Sequence, residues 1–61
     1  MFAEKIKRMR EKNNLTQKDV ADFIGVTHVA VGKWETGKGM PRAMVLPKLA
    51  KLYKCTVGDF F

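Results

Sequence analysis

The stretch Leu15 to Lys38, LTQKDVADFIGVTHVAVGKWETGK, carries two sets of helix start and stop signals in close succession. They limit the fold more than any other feature of the chain. Thr16 is a good N-cap, and Asp19 lies three residues on in a capping-box-like arrangement. Val20, Ala21 and Ile24 form the buried stripe of the helix that follows. Gly25 can take the positive φ that closes a helix and turns the chain. Thr27 then caps a further helix over residues 28–35, and Gly37 ends it in the same way. Two short helices joined by a turn at Gly25-Val26 make a helix-turn-helix unit.

The flanking segments read as helices too. Phe2, Ile6 and Met9 follow i, i+4, i+7 spacing, which predicts an amphipathic first helix over residues 2–12. Its other face is charged, with Lys5, Lys7, Arg8, Glu11 and Lys12, and Asn13-Asn14 ends it. After Gly37, Pro41 belongs to a connector. Pro47 suits the first turn of a helix, where no backbone N–H is needed. Helix 4 therefore starts late or bends near Leu46 and runs to about Tyr53, with Leu46, Leu49, Ala50 and Tyr53 facing inward. Thr56 caps a short last helix, Val57 to Phe61, with Phe60 turned in. The expected architecture is all-α with no strands, and residues 1–61 form one small domain.

Twelve Lys and Arg against six Asp and Glu give a net charge of +6, which points to an anionic partner. Nucleic acid is the leading candidate. A membrane surface fits less well, because the cations are spread over several elements instead of forming one polar face opposite a broad apolar one. No apolar run approaches the length of a membrane span, and the N-terminal segment has no apolar core of the kind a secretory signal needs. Cys55 is the only cysteine and His28 the only histidine, so neither an internal disulfide nor a zinc cluster is expected, and a cytoplasmic location fits. No carboxylate pair, metal set or Cys–His arrangement has workable spacing. No catalytic residue, metal or cofactor is expected, and the chain does not read as an enzyme.

Placed at about 100° per residue, helix 3 divides into two faces. Ala30, Val31 and Trp34 fall on one side and can pack on helices 2 and 4. His28, Val29, Gly32 and Lys33 fall on the other, which has the length to enter a DNA major groove. Val29 reads as a stray exposed apolar residue or as a contact to a thymine methyl. Lys33 reads as a solvated lysine or as a donor to guanine, and His28 as a neutral surface residue or as a base or phosphate contact. Gly32 costs helix stability with no packing return visible in the sequence; close approach of backbone to DNA is one explanation, and chance is another.

The stretch from Leu15 to Lys38 resembles the Xre-type, lambda-repressor-like helix-turn-helix family, which includes many phage Cro proteins and repressors. The resemblance rests on Leu15-Thr16-Gln17, Val20-Ala21, Gly25-Val26-Thr27 and Trp34-Glu35-Thr36-Gly37. The later PRAMVLPKLAKLYKCTVGDFF is similar to the family's closing section at Pro41, Leu46, Leu49-Ala50, Thr56 and Phe60. The resemblance implies a compact five-helix bundle with helix 3 as the recognition helix. It implies base-reading roles for His28, Val29 and Lys33, which the helical wheel suggests independently, together with Gly32. It implies DNA-backbone roles for Gln17, Thr27, Thr36, Lys38 and Arg42, and a partly buried salt bridge between Arg10 and Glu35 that ties helix 1 to the end of helix 3. Two features depart from the family pattern. Gln and Ser are frequent on its recognition helices where this chain has His28, Val29, Ala30 and Gly32, and Pro47 stands where an ordinary helix former is common.

The function these readings imply is a sequence-specific double-stranded DNA-binding transcriptional regulator, a repressor, that binds a (pseudo)palindromic operator as a homodimer. The dimer contact is expected near helix 5 and the helix 4–5 turn, with Phe61 and Phe23 as exposed apolar candidates. The alternative is an antitoxin-type interaction module that also binds DNA and holds a protein partner through helices 4 and 5. The chain ends where the folded unit ends, as expected of a minimal Cro-like regulator or of a domain cut from a longer protein.

Overall fold

The computed structural model describes all 61 residues, Met1–Phe61. The chain is all-helical: α1 spans Phe2–Lys12, α2 Gln17–Ile24, α3 His28–Thr36 and α4 Leu46–Leu52. Two 3-10 turns complete it, Ala43–Val45 leading into α4 and Val57–Phe60 near the end of the chain.

The start and stop signals act locally as their chemistry dictates. The Thr16 hydroxyl accepts from the Asp19 amide at 3.0 Å, and the Asp19 carboxylate accepts from the Thr16 amide at 2.9 Å, closing a reciprocal capping box at the start of α2. Gly25 ends α2 at φ 88° and Gly37 ends α3 at φ 77°, both in the left-handed region that a side chain resists. Thr27 caps α3 by accepting from the Ala30 amide at 3.2 Å. Asn14 takes the left-handed turn after α1, at φ 58°.

Two expectations are corrected here. The expected fifth helix is a 3-10 turn, so the fold has four α-helices. Four residues are too few to establish an α-helical ladder, and the segment closes with shorter bonds instead, from the Asp59 amide to the Thr56 carbonyl and from the Phe61 amide to the Gly58 carbonyl. At Pro47 the two alternatives resolve into a 3-10 turn that hands over to α4 at Leu46, placing Pro47 in the first turn, where its missing N–H costs nothing. α4 ends at Leu52, where Tyr53 is its C-cap and the left-handed turn falls on Lys54 at φ 57°.

The core is one cluster of eleven buried apolar residues drawn from every helix and both 3-10 turns. Ile6, Val20, Val31, Leu49 and Phe60 are its fully buried large side chains. α3 packs against both α1 and α2, and the last turn packs on α1 and α4. Phe60 is the closing wedge. Its ring meets those of Phe2 and Tyr53 edge-on, with centroids 6.1 and 6.3 Å away. Burial pushes the Tyr53 phenol well above its ordinary pKa. No helix is long and apolar enough to cross a membrane.

Candidate nucleic-acid interface

α3 is held to the body along one face. Val31 and Trp34 are buried and Ala30 is partly covered, as their helical spacing requires. His28, Val29 and Lys33 are exposed on the outer face, and Val29 keeps 55 % of its surface in solvent. The connector folds back toward this face: a Cβ placed on Gly39 would lie 3.7 Å from the Cβ of Lys33. The Lys33 stem is thus backed by chain, while its ammonium remains free of any ion pair.

Gly32 is not part of a bare outer surface. It is half-buried, and a Cβ placed there would sit 3.6 Å from Gln17 Oε1 and 3.8 Å from Gln17 Nε2. The Gln17 amide therefore lies across α3 where residue 32 has no side chain. This is the packing relation that the sequence does not reveal. From that position Gln17 Nε2 donates to Glu35 Oε1 at 3.2 Å.

Glu35 is the centre of a buried polar network. Arg10 Nε donates to Glu35 Oε2 at 2.7 Å and Arg10 Nη2 to Glu35 Oε1 at 3.1 Å, while Arg10 Nη1 donates to the Leu15 carbonyl at 2.7 Å. The bonded carboxylate raises the Arg10 pKa further above its usual value. No buried side-chain polar atom is left without a partner. The network joins α1, the α1–α2 turn, the first residue of α2 and the end of α3. It thereby sets the position of the outer face of α3 relative to the N-terminus of α2.

The other site residues differ in how free they are. The Thr27 hydroxyl accepts from the Ala30 amide, which leaves its own proton available to an outside acceptor. The Thr36 hydroxyl bonds back to the Gly32 and Lys33 carbonyls at 3.1 and 3.3 Å, so its single proton is already engaged. Lys38 and Arg42 are exposed on the connector after α3. Arg10, Leu15, Thr16, Gln17, Lys18 and His28 line one shallow depression, which brings the start of α2 beside the start of α3. The sequence reading missed Lys18 at this place. Lys18 is exposed and reaches Asp22 at 2.9 Å, a contact that i,i+4 spacing permits but does not require.

Two short helices in tandem, the second anchored on one face and open on the other with a basic connector beside it, define a small all-α helix-turn-helix protein. The helix-turn-helix family model matches residues 6–60. The chain belongs to this Xre-type (Cro/C1-type) family of DNA-binding proteins. The transcriptional activator BcrR of Enterococcus faecalis is 36 % identical over 58 residues, which cover 95 % of this chain and 28 % of that protein. The SPbeta prophage-derived HTH-type transcriptional regulator YonR of Bacillus subtilis is 38 % identical over 52 residues, 85 % of this chain and 48 % of its own length. The cryptic phage CTXphi transcriptional repressor RstR of Vibrio cholerae is 34 % identical over 59 residues, 97 % of this chain and 53 % of its own. This chain spans from about a quarter to about half the length of these relatives. They are named as transcriptional regulators, not as enzymes. No solved structure matches the chain significantly.

Proposed function

We propose that residues 1–61 act as one DNA-binding domain of a sequence-specific transcriptional regulator, with α3 entering the major groove of double-stranded DNA. The observation that carries this reading is the division of α3: Val31, Trp34 and Glu35 are buried, whereas His28, Val29 and Lys33 stand outward on one face. His28 and Lys33 supply hydrogen bonds to base edges, and Val29 supplies an apolar contact suited to a thymine methyl. Thr27, Thr36, Lys38 and Arg42 hold the sugar–phosphate backbone on either side, with Thr36 exchanging its internal bond to do so. The amides of the first turn of α3 add a favourable field for a phosphate. The net charge of +6 provides the long-range attraction that a sparsely charged reading helix does not.

A domain of this size makes too few contacts for strong specificity alone, so the operator is a (pseudo)palindrome bound by a homodimer, with recognition helices about 34 Å apart. The exposed Phe61, 61 % in solvent and packed on Phe2 with ring centroids 5.3 Å apart, lies in the surface assigned to the dimer contact. Phe23, 57 % exposed, is the second apolar candidate. The regulatory sign we assign is repression: occupying promoter DNA is sufficient to block transcription, whereas activation needs a further contact with the transcription machinery. A regulator of chromosomal or phage DNA works in the cytoplasm.

Selection of bound duplexes from a random pool tests the reading. Enrichment of a palindrome with half-sites about ten base pairs apart is the expected result. No enrichment, together with a stably co-purifying protein, would replace this reading with an antitoxin-type interaction module bound through α4 and the last turn.

A further inference from the structure

Two depressions in the surface meet at Trp34 and Met40, which line both. One runs from Ala30 past Met44 to Arg42 and Lys48. The other runs from Met1 and Phe2 to Lys38. Together they form one groove between α3, the connector and the starts of α1 and α4. Its floor is apolar. Trp34 is 6 % exposed, while Met40 and Met44 keep 57 % and 68 % of their surface in solvent. Met1, Met40 and Met44 are three of the six large apolar residues that the chain exposes, and they are gathered in this one place. Clustered apolar surface marks a contact, and unbranched methionines adapt their shape to what covers them. Every charged side chain in the groove is a cation, Lys38, Arg42 or Lys48, and no acid lines it.

We propose that this groove docks an acidic, amphipathic segment of a partner protein, and that the docked segment and DNA exclude each other. Apolar side chains of the segment cover Trp34, Met40 and Met44, and its carboxylates meet Arg42 and Lys48. The phosphates of duplex DNA match the cations but give the methionines no apolar surface to bury against. A bilayer is flat, whereas Trp34 lies in the floor of a concave surface. A second copy of this chain is a poor match, because it carries +6 itself and its acids are engaged. Asp19 and Asp59 close caps, Asp22 pairs with Lys18, Glu35 is buried against Arg10, and Glu4 lies 3.9 Å from the N-terminal ammonium. The exclusion follows because Lys38 and Arg42 are the cations assigned above to the DNA backbone. That step rests on the DNA-binding reading, and the docking does not.

Trp34 is the only tryptophan, so its fluorescence reports occupation of the groove directly. The test is selection on the full chain from a displayed library of random peptides of about 15 residues, long enough as a helix to cross a molecule of 24 × 21 × 21 Å. Peptides with spaced Leu, Phe or Met and an excess of Asp and Glu should be enriched, and the best of them, synthesised, should shift Trp34 emission on titration. Met40→Gln/Met44→Gln keeps side-chain length and charge at two exposed positions, and circular dichroism checks its fold. It should bind that peptide about ten-fold or more weakly, and Lys48→Glu should weaken it as well. The peptide should displace a labelled duplex from wild type, while the double methionine variant should keep the duplex at the same peptide concentration. Enriched peptides without acids or without apolar anchors, an unmoved Trp34, or equal affinity in both variants would overturn the proposal. Two other occupants have their own signatures, and either would overturn it too: a wild-type dimer that sediments as a monomer in Met40→Gln/Met44→Gln, or phosphatidylserine vesicles that bind wild type and not this variant. A peptide that occupies the groove while the duplex stays bound would overturn the exclusion. A chain that binds the peptide at Trp34 but no duplex of any sequence would remove the DNA-binding reading and support the docking.

Discussion

Arg10 and Glu35, 25 positions apart, meet in a two-point contact, with Nε to Oε2 at 2.7 Å and Nη2 to Oε1 at 3.1 Å. The Glu35 side chain is 1 % exposed and that of Arg10 12 %, so the pair is shielded from water on nearly all sides. Removing one partner strands the other. Arg10→Met or Glu35→Leu alone should lower the free energy of unfolding by about 3–5 kcal/mol. The double variant, which leaves no uncompensated charge, should lose less than the sum of the two. Urea denaturation of the four proteins measures the coupling.

The caps should make the fold sensitive to acid. Hydrogen bonding to the Thr16 amide holds the Asp19 carboxyl below its ordinary value of 3.8, and the Thr56 amide does the same for Asp59. A depressed folded-state pKa contributes stability that is present above the unfolded value. That contribution is lost as the pH falls through the folded value. Thermal melts should therefore drop in midpoint below about pH 4. The Asp19→Asn/Asp59→Asn variant keeps amide oxygens at the caps but cannot titrate, and it should show a flatter profile over the same window. Parallel profiles would remove the caps as the cause.

Glycine at residue 32 and glycine at residue 25 should respond in opposite directions to alanine. At Gly32 the added methyl would sit 3.6 Å from Gln17, an ordinary contact, and φ is not positive, so helix propensity favours Gly32→Ala by about 0.5–1 kcal/mol. Gly25 stands at φ 88°, where a Cβ is strained, and Gly25→Ala should destabilise by about 1–2 kcal/mol. Chemical denaturation of both variants decides the point.

Two lysines near the end of α3 should separate by role. Lys33→Ala should relax preference at one base pair of each half-site with little change in the salt dependence of binding. Lys38→Ala should weaken every sequence alike and reduce the slope of log K against log salt by about one. Fluorescence anisotropy titrations over a salt series, on the selected operator and its single-base variants, distinguish the two. Equal behaviour of both variants would remove the assignment.

If the proposed homodimer buries Phe61 between protomers, operator binding should depend on that ring. Phe61→Lys, which leaves the fully buried Phe60 untouched, should convert cooperative occupation of the two half-sites into independent occupation at lower affinity. Gel-shift titrations on full and half operators show it. Unchanged cooperativity would move the dimer contact elsewhere, with Phe23 as the next surface to change.

What could be read in the sequence follows from range. Thr16 with Asp19, Gly25, Thr27 with Ala30, and Gly37 each act within four residues, so their geometry is set by local chain stereochemistry and one or two hydrogen bonds. The inward set Val20, Ala21, Ile24, Val31 and Trp34 was legible for the same reason, since a helix has only one way to present residues three and four apart. The pairing of Arg10 with Glu35 came from family resemblance, because nothing in either residue's own neighbourhood calls for it. The 3-10 character of the last turn escaped the sequence reading. A cap, a glycine and an inward aromatic fit either kind of helix, and a segment of four residues closes with i→i+3 bonds because it is too short for an α-helical ladder.

Gln17 and Gly32 show the boundary most clearly. Taken singly in the sequence, one is a polar residue opening a helix and the other an unexplained glycine within the next. Folding brings an amide of fixed polarity against a backbone with no side chain, and a buried carboxylate held by Arg10 determines which way that amide faces. Local interactions therefore determined where the helices begin, end and turn. How the Gln17 amide lies beside α3 was decided only by the packing of α1, α2 and α3. Hydrogen-bond direction at Gln17 depends on a partner 18 positions away, and no local propensity encodes it.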